Sequence, residues 1–256
     1  MSDANGRFVW YELMTTDLAA ARAFYSQVVG WNAVDAQMPG ADYWMFTAGE
    51  KPVAGLMNLP EDARKMGTPP SWIGYVQVAD VDATAAKVTA SGGIVHVPPT
   101  DIPNIGRFSI VADPYGAALG LFKSANPEED QLPSPEERGR VGWHELYAGD
   151  LASAFEFYSG LFGWQKKDAM DMGEMGIYQI FGTADTTLGG MMTKSPMEPV
   201  PHWNYYFNVG NIDEAAERVK SAGGQVVFGP DPVPGGAFIL MATDPQGAVF
   251  ALFGSR

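Results

Sequence analysis

The stretch "WYELMTTDLAAARAFYSQVVGW", Trp10 to Trp31, decides the fold, because it recurs 133 residues later as "WHELYAGDLASAFEFYSGLFGW", Trp143 to Trp164. Each copy begins with alternating apolar and polar residues, as in a half-buried strand, and continues with apolar residues at helical spacing. Asp17 stands where a helix cap is expected, and Gly30 stands where the helix should end. Each copy is therefore predicted to form a strand followed by a helix.

The repeat extends over nearly the whole chain, since residues 7–123 recur in 140–254. The stretch between the copies is rich in proline, glutamate and serine, which is typical of a solvated linker. We therefore divide the chain into a first domain, 1–123, a linker, 124–139, and a second domain, 140–256.

A shorter unit repeats within each half. Asp80 and Asn211 are placed to cap a second helix in each half, and short strand patterns follow every helix. Asp113–Gly116 and Asp244–Gly247 have the Asp-Pro-x-Gly sequence of a type I turn, which should join the last two strands of each half. The sequence thus predicts an α+β fold of four βαβββ modules.

Composition excludes several classes of protein. With 46% hydrophobic and 12% aromatic residues among 256, the chain is predicted to be globular. A net charge of −14 opposes binding to nucleic acid or to anionic membranes.

The first ten residues lack a secretory signal pattern, and no apolar run reaches the ~18 residues of a membrane span, so a cytoplasmic protein is expected. The absence of cysteine excludes disulfides, thiolate metal ligands and a cysteine nucleophile.

The order of strand, "DLxxAxxFYxxxxGW", "VxDVDxxxxxxxxxGG" and "DPxG" resembles the vicinal oxygen chelate superfamily. This superfamily includes glyoxalase I, bleomycin-resistance and fosfomycin-resistance proteins and extradiol dioxygenases, and the chain is most similar to its two-domain glyoxalase-like members. The resemblance implies that the paired modules of each half wrap a mixed sheet into an open cup, with helices outside and a ligand site inside.

Metal-using members of the superfamily hold a divalent ion with His, Gln or Glu side chains on the cup-facing strands. The matching positions in this chain are Trp10, Gly55, Ile73, Gly120, Trp143, Gly190, Asn204 and Ala251. Only Asn204 carries a donor atom, whereas a divalent ion needs several. His96, His144 and His202 are expected to be structural or surface residues. We therefore predict no metal site and no cofactor.

Strand alternation predicts which side chains line the two cups. The first set is Trp10, Met14, Met57, Ile73, Tyr75, Gln77 and Phe122. The second set is Trp143, Tyr147, Met192, Asn204, Tyr206, Asn208 and Phe253. Small residues at the former ligand positions are expected to leave open space, and the aromatic and methionine side chains suit a planar organic molecule.

Glu12 and Glu145 are the polar residues in these cups that most need a reason. A carboxylate in an apolar cup either finds a hydrogen-bond donor or becomes protonated. Both residues are candidate catalytic acids or bases, and the alternative is that each accepts hydrogen bonds and stabilises its strand. Arg107 is a candidate partner of Glu12.

Three functions remain open. The first is a metal-free protein that binds a small aromatic or amphipathic molecule. The second is a metal-independent lyase, isomerase or hydroxylase-like enzyme that uses Glu12 or Glu145, and the third, ranked last, is a metal-dependent glyoxalase or dioxygenase. In each case the expected partner is a small organic molecule, and the chain is expected to be a monomer or homodimer.

Overall fold

The computed structural model describes residues 5–38, 40–126, 134 and 137–256. Much of the predicted linker, 127–133 and 135–136, lies outside this part of the chain. The elements of the first half are β1 (Phe8–Thr15), α1 (Leu18–Val28), β2 (Asn32–Asp35), β3 (Tyr43–Ala48), β4 (Lys51–Asn58), α2 (Glu61–Lys65), β5 (Ser71–Gln77), α3 (Val81–Ala90), β6 (Ile94–Ile102), β7 (Gly106–Ala112) and β8 (Ala118–Ser124).

The second half repeats this order with two differences: a short 3₁₀ helix, Gly173–Met175, precedes its third strand, and no helix among the described residues of this half corresponds to α2. Its elements are β9 (Val141–Ala148), α4 (Leu151–Phe162), β10 (Gln165–Asp171), β11 (Ile177–Gly182), β12 (Thr187–Thr193), β13 (His202–Asn211), α5 (Ile212–Ser221), β14 (Gln225–Pro232), β15 (Phe238–Thr243) and β16 (Val249–Ser255). The four predicted βαβββ modules are confirmed.

The strands form two mixed eight-stranded sheets that remain open. Their strand orders are β2-β3-β4-β1-β5-β8-β7-β6 and β10-β11-β12-β9-β13-β16-β15-β14. In each module the first strand lies parallel to the last, as β1 does to β4, and the other neighbours are antiparallel. The predicted α+β class is therefore confirmed. No helix in the described ranges has the length and apolar character needed to cross a bilayer.

The chain packs as two compact units, each of which takes one module from each half. Unit 1 comprises Met1–Val9, Gly74–Leu132 and Trp143–Trp203, and unit 2 comprises Trp10–Ile73, Pro133–Gly142 and Asn204–Arg256. The sequence-based division into 1–123, 124–139 and 140–256 describes the repeat, whereas these units describe the packing.

Local sequence explains where the four longer helices begin. The residue before each helix accepts a hydrogen bond from the third backbone N–H beyond it, which satisfies one of the free donors of the first turn. The four pairs are Asp17 with Ala20, Asp80 with Ala83, Asp150 with Ser153, and Asn211 with Glu214. The predicted caps are confirmed.

The core of unit 2 is organised by the second Asp-Pro-x-Gly turn. Asp244 is buried, accepts the backbone N–H of Gln246 and Ala248, and accepts a 3.1 Å hydrogen bond from the Tyr25 hydroxyl on α1. The Trp72 indole N–H donates to the same hydroxyl over 2.9 Å. The turn therefore joins the first module to the fourth inside this unit.

The core of unit 1 repeats this arrangement. Asp113 is buried, accepts the backbone N–H of Tyr115 and Ala117, and accepts a 3.2 Å hydrogen bond from Tyr158 on α4. The Trp203 indole N–H donates to Tyr158 over 3.2 Å. The turn that the sequence indicates only as a hairpin is thus also the attachment point of a helix.

Candidate functional site

Every residue that the sequence places at a candidate site lies on a β-strand. Side chains of directly paired residues in a sheet project from the same face. The pairs in unit 2 are Glu12 with Gly55, Met14 with Met57, Tyr206 with Ala251 and Asn208 with Phe253. The pairs in unit 1 are Tyr75 with Gly120, Gln77 with Phe122, Glu145 with Gly190 and Tyr147 with Met192.

Trp10, Ile73, Trp143 and Asn204 stand two residues before members of these pairs and share their faces by alternation. The predicted lining residues of each sequence half are divided between the two units. We predicted that the lining residues of each half lie together in one cup, and this stays a prediction.

In unit 2, a three-residue cluster is built around Glu12. Trp10 and Glu12 are neighbours on one face of β1, and Tyr43 comes from β3. The Trp10 indole N–H donates to the Tyr43 hydroxyl over 3.1 Å. The same hydroxyl is hydrogen-bonded to Glu12, where the carboxylate is the acceptor. The whole Glu12 residue is 8% exposed and is therefore largely buried.

In unit 1, the equivalent cluster is built around Glu145. The Trp143 indole N–H donates to the Tyr178 hydroxyl over 2.8 Å, and Tyr178 is hydrogen-bonded to the Glu145 carboxylate. Glu145 is 7% exposed. We call the two arrangements the Trp–Tyr–Glu clusters: Trp10, Tyr43 and Glu12 in unit 2, and Trp143, Tyr178 and Glu145 in unit 1.

The tyrosines of these clusters are held in the protonated form. Burial raises the pKa of Tyr43 well above its ordinary value, and the nearby charge of Glu12 raises it further. Burial likewise raises the pKa of Tyr178, with Glu145 as the next cause. Each phenol therefore remains a hydrogen-bond donor to its carboxylate throughout the neutral range.

Glycine makes room for these phenols. A side chain at Gly55 would overlap the Tyr43 hydroxyl, and a side chain at Gly190 would overlap the Tyr178 ring. Gly55 is paired with Glu12, and Gly190 is paired with Glu145. Because neither glycine has a side chain, the tyrosine ring extends over it to the glutamate on the neighbouring strand. The expectation that these glycines leave open space is wrong.

Gly120 shows the same feature in unit 1. A side chain there would overlap the ring of Tyr75, with which Gly120 is paired. Tyr75 is buried. The space at this former ligand position is therefore filled by a tyrosine of the same unit.

Tyr43 and Tyr178 are the residues of the site that sequence reasoning missed. They recur at the same 135-residue offset as the glycines beside them, Gly55 and Gly190. That shared offset, together with the preference of buried phenols for a polar partner, is the sequence feature that points to them.

The surroundings of Glu145 include a second carboxyl group. The pKa of the Glu198 carboxyl is raised, mainly by burial. Interaction with His202 and Lys194 opposes this rise, and the charge of Glu145 adds to it. His202 stacks on Tyr147, with ring centroids 5.1 Å apart and planes 17° apart. Lys194 Nζ donates to the backbone carbonyl of Glu198 over 2.6 Å. These contacts involve Tyr147, one of the predicted ligand-binding residues, in local packing.

Two amides on the predicted lining faces have a buried atom without a hydrogen-bond partner. They are Gln77, through Oε1, and Asn204, through Nδ2. Gln77 is 5% exposed and Asn204 is 1% exposed. Such atoms are uncommon, because an unpaired buried polar group is destabilising.

The described residues do not assemble a metal site. Within them, no group of three or more His, Asp or Glu side chains is placed to hold an ion. His144 is buried and bonds the Leu188 carbonyl through Nδ1 over 2.6 Å, and burial lowers its pKa to about 4. His202 bonds a backbone carbonyl and packs on Tyr147, and His96 is exposed.

The suggested pairing of Arg107 with Glu12 is wrong. The Arg107 guanidinium binds Asp82 and Asp101, with N–O distances of 2.7 and 2.8 Å. Arg107 lies on β7, where it is paired with Asp101 of β6. The neighbouring antiparallel strand therefore supplies one of its two partners.

Curated relatives cover nearly the whole chain. A protein of Mycobacterium tuberculosis that is named glyoxylase CFP32 is 36% identical over 246 residues, which is 95% of this chain and 92% of that protein. Anthracycline biosynthesis protein DauV of Streptomyces sp. strain C5 is 30% identical over 262 residues, covering 97% of this chain and 93% of that protein.

Solved structures share the fold at low identity. The Mn(II)-bound glyoxalase from Novosphingobium aromaticivorans has a TM-score of 0.65 at 18% identity, over 98% of this chain and 82% of that one. The 2,3-dioxygenase LapB of Pseudomonas sp. KL28 has a TM-score of 0.66 at 14% identity, over 100% of this chain and 94% of that one.

The family model described as Glyoxalase/Bleomycin resistance protein/Dioxygenase superfamily matches twice, over residues 7–121 and 140–252. Both matches span a pair of the observed modules. The tandem match, the full-length relatives and the βαβββ architecture lead to one conclusion: the chain belongs to the glyoxalase/bleomycin resistance protein/dioxygenase superfamily.

Proposed function

We propose that this protein binds a small aromatic or amphipathic organic molecule at the strand faces that carry the Trp–Tyr–Glu clusters, without a metal ion held by the protein. The observation that carries the proposal is the position of the clusters. The strand positions from which metal-using relatives are expected to take ligands carry Trp10 and Trp143, and the adjacent glutamates are held by phenols.

The clusters have the chemistry to orient such a ligand. A carboxylate has two oxygens with about four acceptor sites, so it is able to bind a phenol and a hydroxyl or ammonium group together. The indole beside it is partly exposed in both clusters and offers a flat apolar surface. A ligand with an aromatic body and a hydrogen-bond donor therefore complements both parts.

The relatives support the choice of an aromatic ligand. DauV is named for anthracycline biosynthesis, and anthracyclines are polycyclic aromatic compounds. The similarity to DauV extends over 97% of this chain. An anthracycline is therefore a rational first probe for binding.

A divalent metal does not fit the donor set. The described residues offer no group of three or more His, Asp or Glu side chains for an ion, and of the expected ligand positions only Asn204 carries a donor. We therefore rank a metal-dependent glyoxalase or dioxygenase last. We also propose a cytoplasmic monomer or homodimer without nucleic-acid or membrane partners, since a net charge of −14 opposes binding to polyanions.

Tryptophan fluorescence tests the proposal. Daunorubicin is titrated into the wild type and into Glu12→Gln, Glu145→Gln and the doubly substituted protein, with the exposed Glu50→Gln as the matched control. The double variant should bind at least about tenfold more weakly, which corresponds to ~1.4 kcal/mol, and the control should match the wild type. Unchanged affinity in the double variant, or one equivalent of tightly bound transition metal in the purified protein, would contradict the proposal.

The second candidate is a metal-independent lyase, isomerase or hydroxylase-like enzyme that uses Glu12 or Glu145 as acid or base. It is favoured by the burial of both carboxylates beside a phenol. Proton transfer by a positioned carboxyl typically contributes 10²–10⁴-fold to a rate. Loss of turnover with intact binding in the Gln variants would establish this function, whereas loss of binding would return the glutamates to the role of anchors.

A further inference from the structure

A groove of about 650 Å³ lies between α3 and α4 in unit 1, away from the Trp–Tyr–Glu cluster of that unit. Phe157 and Leu161 of α4 supply apolar surface to the groove. Tyr115, in the Asp-Pro-x-Gly turn, also lines it and is 47% exposed. The function proposed for the clusters gives this groove no role.

Gly160 of α4 lines the groove and has no structural reason to be glycine. It lies inside a regular helix, where glycine is among the least favourable residues. Apart from its chain neighbours and the backbone of its own helix, a Cβ atom at this position would meet no atom within 4 Å. Neither close packing nor a left-handed backbone therefore requires glycine at this position of the groove wall.

The corresponding helices of unit 2, α1 and α5, are joined by side-chain hydrogen bonds. Gln27, which stands 133 residues before Gly160, donates from Nε2 to the Ser221 hydroxyl over 3.1 Å. Arg218 donates from Nε to the Val28 carbonyl over 3.1 Å. These bonds link α1 to α5.

In unit 1 the positions equivalent to Ser221 and Arg218, each 131 residues earlier, are Ala90 and Lys87, and both line the groove. Neither Gly160 nor Ala90 has a polar side chain with which to form the bridge. The side-chain bridge between the helices of unit 2 therefore has no counterpart at these positions among the described residues of unit 1.

We propose that this groove binds a zwitterionic aromatic molecule of the amino-acid or dipeptide type. Lys87 on α3 and Glu156 on α4 place opposite charges on its two walls. The ion pairs of the described residues include none between them. A ligand with one ammonium and one carboxylate complements both charges, and its ring packs on the apolar surface.

The test is an NMR titration of the ¹⁵N-labelled full chain with the dipeptide phenylalanyl-phenylalanine. The backbone amides of Gly160 and Tyr115 should shift on binding. Acetylating the dipeptide amine or amidating its carboxylate should each weaken binding by about tenfold. Equal binding of a blocked form would overturn the zwitterionic assignment, and a titration without shifts at these amides would overturn the proposal.

The double variant Gly160→Gln with Ala90→Ser rebuilds the bridge of unit 2 and should lose dipeptide binding while remaining folded. The single variant Gln27→Gly, which alters the other helix pair, should bind like the wild type. If the rebuilt variant binds the dipeptide normally, the groove is not the site. Glu12→Gln and Glu145→Gln should leave the dipeptide shifts unchanged, so that this result is independent of the function proposed for the clusters.

Discussion

Acidification should destabilise the protein through one buried histidine, His144. Its ring is 6% exposed and stacks on Phe8 with centroids 4.0 Å apart. Nδ1 lies 2.6 Å from the Leu188 carbonyl, which only accepts hydrogen bonds, so the neutral ring carries its proton on Nδ1. Burial lowers the pKa of His144 from 6.5 to about 4.

The sign and size of the effect follow from this lowered pKa. Between pH 6.5 and 4 the unfolded chain binds a proton that the folded chain does not, so the free energy of unfolding falls as the pH falls through this range. Above pH 6.5 the neutral His144 side chain contributes in full to the free energy of unfolding. At ~1.4 kcal/mol per pKa unit, the loss by pH 4 amounts to about 3 kcal/mol, a large part of the ~5–15 kcal/mol that stabilises a typical domain.

Urea unfolding at several pH values between 7.5 and 4.5 measures this loss. His144→Gln retains an N–H donor but does not titrate in this range, so its free energy of unfolding should depend less steeply on pH than that of the wild type. His96→Gln, at an exposed strand position, is the matched control for removal of a histidine. If His144→Gln keeps the full wild-type pH dependence, the burial argument is refuted.

Three substitutions test the packing. Tyr158→Phe removes the hydrogen bond to buried Asp113 and should lower the free energy of unfolding, measured in urea, by about 1.5–3 kcal/mol. Unchanged stability would contradict this prediction. Gly160→Ala should raise it by up to ~1 kcal/mol, since the added methyl meets no atom; destabilisation would show that the position is crowded. Gly190→Ala should displace Tyr178 and lower the melting temperature, with an overpacking penalty of about 1–3 kcal/mol; a crystal structure with Tyr178 unmoved would contradict this.

The sequence by itself determined the four βαβββ modules and the faces of their strands, but not the short helix α2. The duplication, the caps at Asp17 and Asp80, and the Asp-Pro-x-Gly turns depend on residues a few positions apart. Strand alternation depends only on the extended backbone, so Glu12 and Met14 were placed on a common face without knowledge of their neighbours. The residue types at the positions expected to match metal ligands were also visible in the sequence, whereas the absence of a metal site stays a prediction.

Only the tertiary structure decided which side chains meet. Tyr43 reaches Glu12 because β4 lies between their strands and carries glycine at position 55. Arg107 binds Asp82 and Asp101, and one module of each half packs with one module of the other half in each unit. These outcomes depend on strand order and on contacts between residues far apart in the chain, which local periodicity and capping do not encode.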